Sequence, residues 1–416
     1  SVLYGWYTGL AYLFPILGGI IADKMIGTHR SMLVGGVLIS IGHIILGLSG
    51  LGDLAHSQLG MSIFIMGLAV IVLGTGHFKP TVSVMVGQLY AEGDPRRDGA
   101  FTIFYMGINL GAFIGPILCG WLRVNVGWPA AFGAAGFGMV LGLLMYLWGK
   151  PRYLKGIGDT PSSRTAAAGA DTPLTFEEKQ RVAVIFIMAF FVVFFWTAFE
   201  QASNSMNYFA IERTDRSLPP FLHWIVDPTP LADGSLAHIF PAEFFQSVNP
   251  LFILLLAPLF ASLWVRLATA GKEPSTPAKM AIGLITLGLG FLIMVFGALA
   301  TKNGTVKVSP IWLLGAFFIH TCGELCLSPV GLSLVTKLAP LKFASLLMGT
   351  WFLANMAANF IAERLAGQVD SITESGFLGI PGYAGFFSIF VLAPCLAGFV
   401  LIFLVPMLRR MMHGRG

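Results

Sequence analysis

Gly74-Thr75-Gly76-His77-Phe78-Lys79-Pro80-Thr81-Val82-Ser83 lies inside a run, residues 61–89, that is otherwise without Asp, Glu, Lys or Arg and is long enough to cross a bilayer. About 20 apolar residues suffice for one crossing. A lysine at the centre of such a helix costs about 2.5–3.5 kcal/mol on insertion scales, so Lys79 is expected to face a polar cavity or a partner rather than lipid. Pro80 removes a backbone N–H and is expected to bend the helix, a defect that neighbouring helices compensate. The alternative is a lysine near a helix end that snorkels to the headgroups.

The surrounding chain has the composition of a membrane protein. Its 416 residues are 56% hydrophobic and 11% charged, with a mean hydropathy of +0.79, too apolar for a soluble globular chain. Glycine accounts for 50 of the 416 residues, above the usual ~7%, as expected where helices pack closely in lipid. Eleven apolar spans are expected, near 4–22, 31–50, 61–89, 100–121, 129–148, 182–209, 247–268, 278–299, 310–336, 343–366 and 383–406. The net charge of +5 sits mostly in the short loops between them, which reads as an orientation signal and not as nucleic-acid binding. Cys119, Cys322, Cys326 and Cys395 all lie in apolar runs without CxxC or Cys/His spacing, so neither a disulfide framework nor a metal site is expected.

Loop charge then sets topology. One alternate set of loops holds Lys24 and Arg30, Arg96 and Arg97, the block 150–181, Lys272, Lys337 and Lys342, and Arg409, Arg410 and Arg415. The opposite set holds Arg123, Arg213, Arg216, Lys302 and Lys307. The richer set is expected to be cytoplasmic, which puts the C-terminus inside and Ser1 outside. An odd number of spans that begins outside implies a further first helix, eleven visible of an expected twelve. Residues 150–181 are rich in Gly, Pro, Ser and Ala and read as a cytoplasmic linker between a bundle over 1–149 and a bundle over 182–416. At its end Thr175 and Glu178 have capping-box spacing, and 212–246 reads as an extracellular loop.

The halves carry matching polar positions. Lys79 and Glu324 each fall in the fourth helix of their half once the missing helix is counted, and each is followed by a proline, Pro80 and Pro329. Asn109 lies 30 residues after Lys79, and Asn355 lies 31 after Glu324. Parallel repeats with sites at their interface are what major-facilitator transporters show. Helical spacing places Trp196, Glu200, Asn204 and Asn207 on one stripe, and His320, Glu324 and Ser328 on another. Gly323 and Gly331 flank Glu324 to admit a close neighbour. Intramembrane carboxylates and ammonium groups mark function. Asn109, Asn249 and Ser328 read equally as interhelical glue, and Tyr12, Trp196 and Trp351 equally as packing or interface aromatics. One cation and two carboxylates suit a small zwitterion with opposite charges at its ends. Lys79 paired with Glu324 is the competing arrangement, in which protonation of the carboxylate would release the lysine and switch the carrier's state.

Several motifs resemble the proton-dependent oligopeptide transporter family of the major facilitator superfamily. They are Gly74-x-Gly76-x-x-Lys79-Pro80, Phe104-Tyr105-x-x-Ile108-Asn109-x-Gly111, Phe195-Trp196-x-x-Phe199-Glu200-Gln201, Gln246-x-x-Asn249-Pro250 and Gly323-Glu324-x-x-x-Ser328-Pro329. The stretch Gly19 to Arg30, with Asp23, Lys24 and Gly27, resembles the superfamily's cytoplasmic loop motif. The resemblance covers essentially the whole chain. It implies an all-α membrane protein of two pseudo-symmetric bundles, and proton-coupled symport of di- and tripeptides into the cell by alternating access. By position, Lys79 and Glu324 would couple to the proton, and Glu200 would receive the amino end of the peptide. Tyr12, Asn109 and Asn249 would contact the peptide backbone, and Trp196, Trp351 and Ser328 would shape side-chain pockets. The implied partners are small peptides, protons and the lipid bilayer. The implied protein is a monomer of the cell inner (plasma) membrane, driven by the proton gradient with no cofactor and no catalytic residues. The family's first-helix Glu-x-x-Glu-Arg motif is absent from this sequence.

Nitrate or other anion uptake, proton/drug antiport, and a non-transporting peptide sensor are the alternatives on this fold. A nitrate carrier needs a cation without needing Glu200 and Glu324, so the carboxylates favour peptide. A membrane enzyme is disfavoured, because the Gly-rich stretch lacks the GK[ST] of a phosphate loop and no HExxH occurs.

Overall fold

The computed structural model describes residues 2–90, 94, 96–161, 173–225, 229–230, 236–240 and 242–415. Residues 162–172 of the expected linker, and 226–228, 231–235 and 241 of the expected extracellular loop, lie outside the described residues.

Among the described residues ten helical segments are long and apolar enough to cross a membrane. The first of them, Gly9–Ser49, contains two expected spans in 41 residues. At 1.5 Å per residue it is about twice the length that one crossing of ~30 Å requires. Helix α1 (Val2–Ile21) leads through a π turn, Ala22–Ile26, into α2 (Gly27–Ser49). Gly27 makes the join with φ +83, a left-handed value that favours glycine. Helices α3 (Gln58–Gln88), α4 (Arg96–Asn125) and α5 (Trp128–Tyr153) follow. Then come α6 (Phe176–Phe199), a 3₁₀ turn at Glu200–Ala202, and α7 (Ser205–Arg213). A two-residue antiparallel ladder, β1 (Thr229–Pro230) with β2 (Leu236–Ala237), pairs Thr229 with Ala237. The chain continues as α8 (Val248–Thr269), α9 (Thr276–Ala300), α10 (Ile311–Leu338), α11 (Ala344–Ala366), the short α12 (Val369–Ser375) and α13 (Gly382–Met411).

These helices form two compact units. One comprises Ser1–Phe190, Pro329–Ala357 and Pro406–Gly416, and the other comprises Phe191–Ser328 and Ala358–Val405. The division falls within α6, α10, α11 and α13, not at the linker.

In the first unit α3 packs against both α1 and α2, and α5 packs against α2 and α4. Glycine makes these approaches close. A Cβ on Gly35 would stand 2.7 Å from the Gly74 carbonyl oxygen, and one on Gly74 would stand 2.7 Å from that of Gly35. Two turns along, Gly42 and Gly67 meet in the same way. In lipid such contacts gain dispersion energy without a hydrophobic drive, so the small residue is what permits them. On its other side α3 meets α1 at Gly18, where a side chain would collide with the Gly76 carbonyl oxygen. That carbonyl is the i−4 acceptor to which Pro80, lacking an N–H, cannot donate. α3 continues as helix through Pro80, and Gly18 leaves the space beside that oxygen open.

In the second unit α9 and α10 cross through Gly283 and Gly323, where a Cβ on either would lie 2.7 Å from the other's carbonyl oxygen. The expectation that Gly323 admits a neighbour is met by this crossing. The outer surfaces of the helices carry Phe403, Phe176, Met145 and Trp148 in exposed positions. Large exposed apolar side chains on so many helices suit a hydrocarbon solvent.

Candidate functional site

Lys79 sits one residue before Pro80 on α3, the helix that glycine contacts hold against α1 and α2. Its Nζ lies 3.9 Å from the centre of the Tyr12 ring on α1. It also lies 4.8 Å from the centre of the Phe352 ring on α11. Both are cation–π geometries, which place the ammonium against ring faces within the protein. Two residues earlier on α3, His77 Nδ1 is 2.9 Å from the fully buried Ser31 hydroxyl on α2. Asn109, buried on α4, donates from Nδ2 to the Tyr105 carbonyl at 2.9 Å, one turn back along its own helix. Trp351 is buried on α11, where a Cβ on Gly331 would stand 2.7 Å from its Cζ2. The second glycine expected to admit a neighbour thus admits an indole.

The loop motif also lies in this unit. Asp23 is 2% exposed, and its Oδ2 accepts the backbone N–H of Leu346 at 2.9 Å. Leu346 is in the first turn of α11, where free N–H groups and the helix dipole favour a carboxylate. Gly19 makes room for this seat against the Ser345 carbonyl, while Gly27 lies against the Gly158 carbonyl of the turn after α5. Lys24 and Arg30 are exposed. At the other end of the α10–α11 connection the buried Arg97 donates from Nη2 to the Thr336 carbonyl at 3.1 Å, in the last turn of α10. A cation at a helix C-terminus and an anion at the next N-terminus are both favourable.

The second unit holds Trp196, Glu200, Asn249, Glu324 and Ser328. Glu324 is 2% exposed in the middle of α10. Its Oε2 accepts from Asn249 Nδ2 at 2.7 Å, and the same nitrogen reaches Thr321 Oγ1 at 3.1 Å. Asn249, at the start of α8, thereby ties that helix to the buried carboxylate. Ser328 is buried one turn below Glu324, and Trp196 meets Phe195 and Phe199 edge to face at centroid distances of 5.5 and 5.2 Å.

The single stripe expected over Trp196, Glu200, Asn204 and Asn207 does not survive in the structure. α6 ends at Phe199, and Asn204 adopts φ −109, ψ −103, outside the helical region. The Glu200 carbonyl accepts from Ser203 Oγ at 3.0 Å and from Asn204 Nδ2 at 3.1 Å. Ser and Asn side chains compete for backbone groups in this way and open the helix. Glu200 therefore lies on a turn, and Asn204 serves that turn.

Two of these neighbours, one in each unit, carried no signal of their own in the sequence. Phe352 stands under Lys79, and Thr321 holds Asn249. Thr321 lies three residues before Glu324, a helical neighbour by spacing, and that offset was the available clue.

Apolar helices long enough to cross a bilayer, with carboxylates and a lysine seated among them, define a polytopic membrane transporter. The POT family model matches residues 29–169 and 162–384, and the chain belongs to the POT family. It is 35% identical over 428 residues to the peptide transporter YePEPT of Yersinia enterocolitica, covering 89% of this chain and 79% of that protein. It is 33% identical over 425 residues to a di-/tripeptide transporter of Lactococcus lactis, covering 91% of this chain and 82% of that one. Among solved structures it resembles a mutant of peptide transporter POT in complex with alafosfalin, with TM-score 0.69, 33% identity and coverage of 99% and 86%. It also resembles a POT family transporter in complex with 5-aminolevulinic acid, with TM-score 0.71, 28% identity and coverage of 97% and 87%. The fold is accordingly that of the helical major facilitator transporters.

Proposed function

We propose that this protein carries di- and tripeptides into the cell by proton-coupled symport, with alternating access of two bundles over 1–149 and 182–416. The observation that carries the reading is Glu324, a carboxylate buried in an apolar helix and hydrogen-bonded by Asn249, in a chain of the POT family. A buried carboxylate within a span is costly to keep, and the exchange of a proton there is the chemistry it suits. Lys79 and Glu324 act in proton coupling, and Glu200 receives the peptide's amino end. Tyr12, Asn109 and Asn249 meet the peptide backbone, and Trp196, Trp351 and Ser328 shape the space for side chains. Asp23, with Gly19, Lys24, Gly27 and Arg30, governs the conformational change through its seat on α11. The carrier works as a monomer in the inner membrane with its C-terminus in the cytoplasm, and the proton gradient is its energy source.

Reconstitution into liposomes with an inward proton gradient tests this. Dialanine is expected to accumulate, and an uncoupler is expected to abolish the accumulation. Lys79→Ala and Glu324→Gln are expected to lose driven accumulation more than they lose peptide exchange. Uptake of nitrate alone, or driven uptake unchanged in both variants, would overturn the reading.

A further inference from the structure

Asn249 is held by more than Glu324. Its side-chain nitrogen has two N–H donors, and both are engaged, one with Glu324 Oε2 at 2.7 Å and the other with Thr321 Oγ1 at 3.1 Å. Thr321 is fully buried, and its hydroxyl donates to the Phe317 carbonyl at 2.7 Å. A hydroxyl whose one proton is already placed offers only lone pairs to a third group. Glu324 alone does not fix which way the amide faces. An ionised carboxylate accepts from Nδ2, and a protonated one donates to Oδ1 equally well. Thr321 breaks that tie, because half a turn of the amide would set Oδ1 against the lone pairs of Oγ1.

The geometry points to Thr321 as a positioning residue that locks the Asn249 amide with its nitrogen committed to α10 and its oxygen left as the polar atom offered to a ligand. The assignment rests on the peptide-transport reading, and adds that the partly buried Asn249 selects a ligand N–H donor. A site built around a fixed acceptor rejects an analogue that presents an oxygen, or nothing, at that place. In the absence of the Thr321 hydroxyl the amide turns to suit either analogue, and selection weakens while the transport cycle stays intact.

The test is competition against labelled dialanine uptake in liposomes with a proton gradient, in the unsubstituted protein, Thr321→Val and Thr321→Ser. The competitors are dialanine, alanyl-lactate, in which an ester oxygen replaces the peptide N–H, and propionyl-alanine, which lacks the ammonium. The unsubstituted protein is expected to prefer dialanine to at least one analogue by about tenfold or more. Thr321→Val is expected to shrink that preference at least about fivefold and raise KM for dialanine, with maximal rate within about twofold; Thr321→Ser restores the preference. Thr321→Ala serves in the same role if the valine variant is not inserted. Unchanged preference for both analogues in the variant lacking the hydroxyl, or a lower maximal rate with preference intact, overturns the assignment. Absence of dialanine uptake by the unsubstituted protein overturns the peptide reading and the assignment with it, and is seen before any ratio is taken.

Discussion

Lys79 shows how one side chain is kept in a medium that disfavours it. Its ammonium lies over the Tyr12 ring at 3.9 Å and the Phe352 ring at 4.8 Å. Each such contact is worth about 0.5–2 kcal/mol, more where water is excluded, the same order as the penalty for placing lysine in a span. The Lys79 ammonium stands over the face of the Tyr12 ring. Tyr12→Phe is therefore expected to keep at least about half of driven dialanine uptake, and Tyr12→Leu to lose about fivefold or more. The reverse ranking would assign the role to the phenol. Lys79 and Glu324 were legible in the sequence because each violates the solvent around it, and a violation shows without knowledge of the partner. Phe352 and Thr321 were not, because an aromatic in an apolar run and a threonine in a helix are ordinary until a distant residue meets them. Lys79 and Phe352 are 273 positions apart by number (352 − 79).

At the scale of the element, local chemistry was readable and its interruptions were less so. The capping box at the start of α6 forms as its spacing implied. Thr175 Oγ1 accepts from the Glu178 N–H at 3.2 Å, and Glu178 Oε2 accepts from the Thr175 N–H at 2.8 Å. The break after Phe199 was masked by the helical spacing of Trp196, Glu200, Asn204 and Asn207, although the Ser203-Asn204-Ser205 cluster is a helix-opening composition. A second local device closes the end of α5. Lys150 Nζ meets Asp159 Oδ1 at 2.7 Å and the Leu154 carbonyl at 2.9 Å. This holds the turn whose Gly158 carbonyl accepts the His29 N–H at 3.0 Å. The hydrogen bond from Lys150 holds the Asp159 carboxyl below its ordinary value. A depressed carboxyl stabilises above its unfolded value near ~3.9, and that contribution is lost as pH falls through the lower folded value. Asp159 is 46% exposed at its side chain, so the pair contributes under about 1 kcal/mol. Hydrogen exchange at the His29 amide, corrected for intrinsic rate, is expected to quicken below about pH 4. Asp159→Asn is expected to show the quicker exchange already at neutral pH. Equal protection in both proteins across that range would remove the pair from this role.

For the whole molecule, hydropathy alone established the class, since ten long apolar segments leave few alternatives. Hydropathy did not reveal where compactness divides, because contact between helices in lipid depends on small-residue seats and not on apolar content. Gly18 is such a seat, and nothing in its local sequence separates it from the adjacent Gly19. Its requirement originates on another helix. Pro80 cannot donate to the Gly76 carbonyl, and Gly18 is the residue that leaves room for it. Gly18→Ala is expected to lower the amount of protein recovered from membranes and its thermal stability, an overpacking cost of about 1–3 kcal/mol. Pro80→Ala returns an N–H to that carbonyl and draws the oxygen back into α3. Added to Gly18→Ala, it is expected to recover part of the lost yield, whereas strictly additive losses would separate the two positions. A selection for suppressors of Gly18→Ala would then return to residue 80, more than sixty positions away (80 − 18 = 62). The two would behave genetically as a single locus, with the proline setting which residues the other position can inherit.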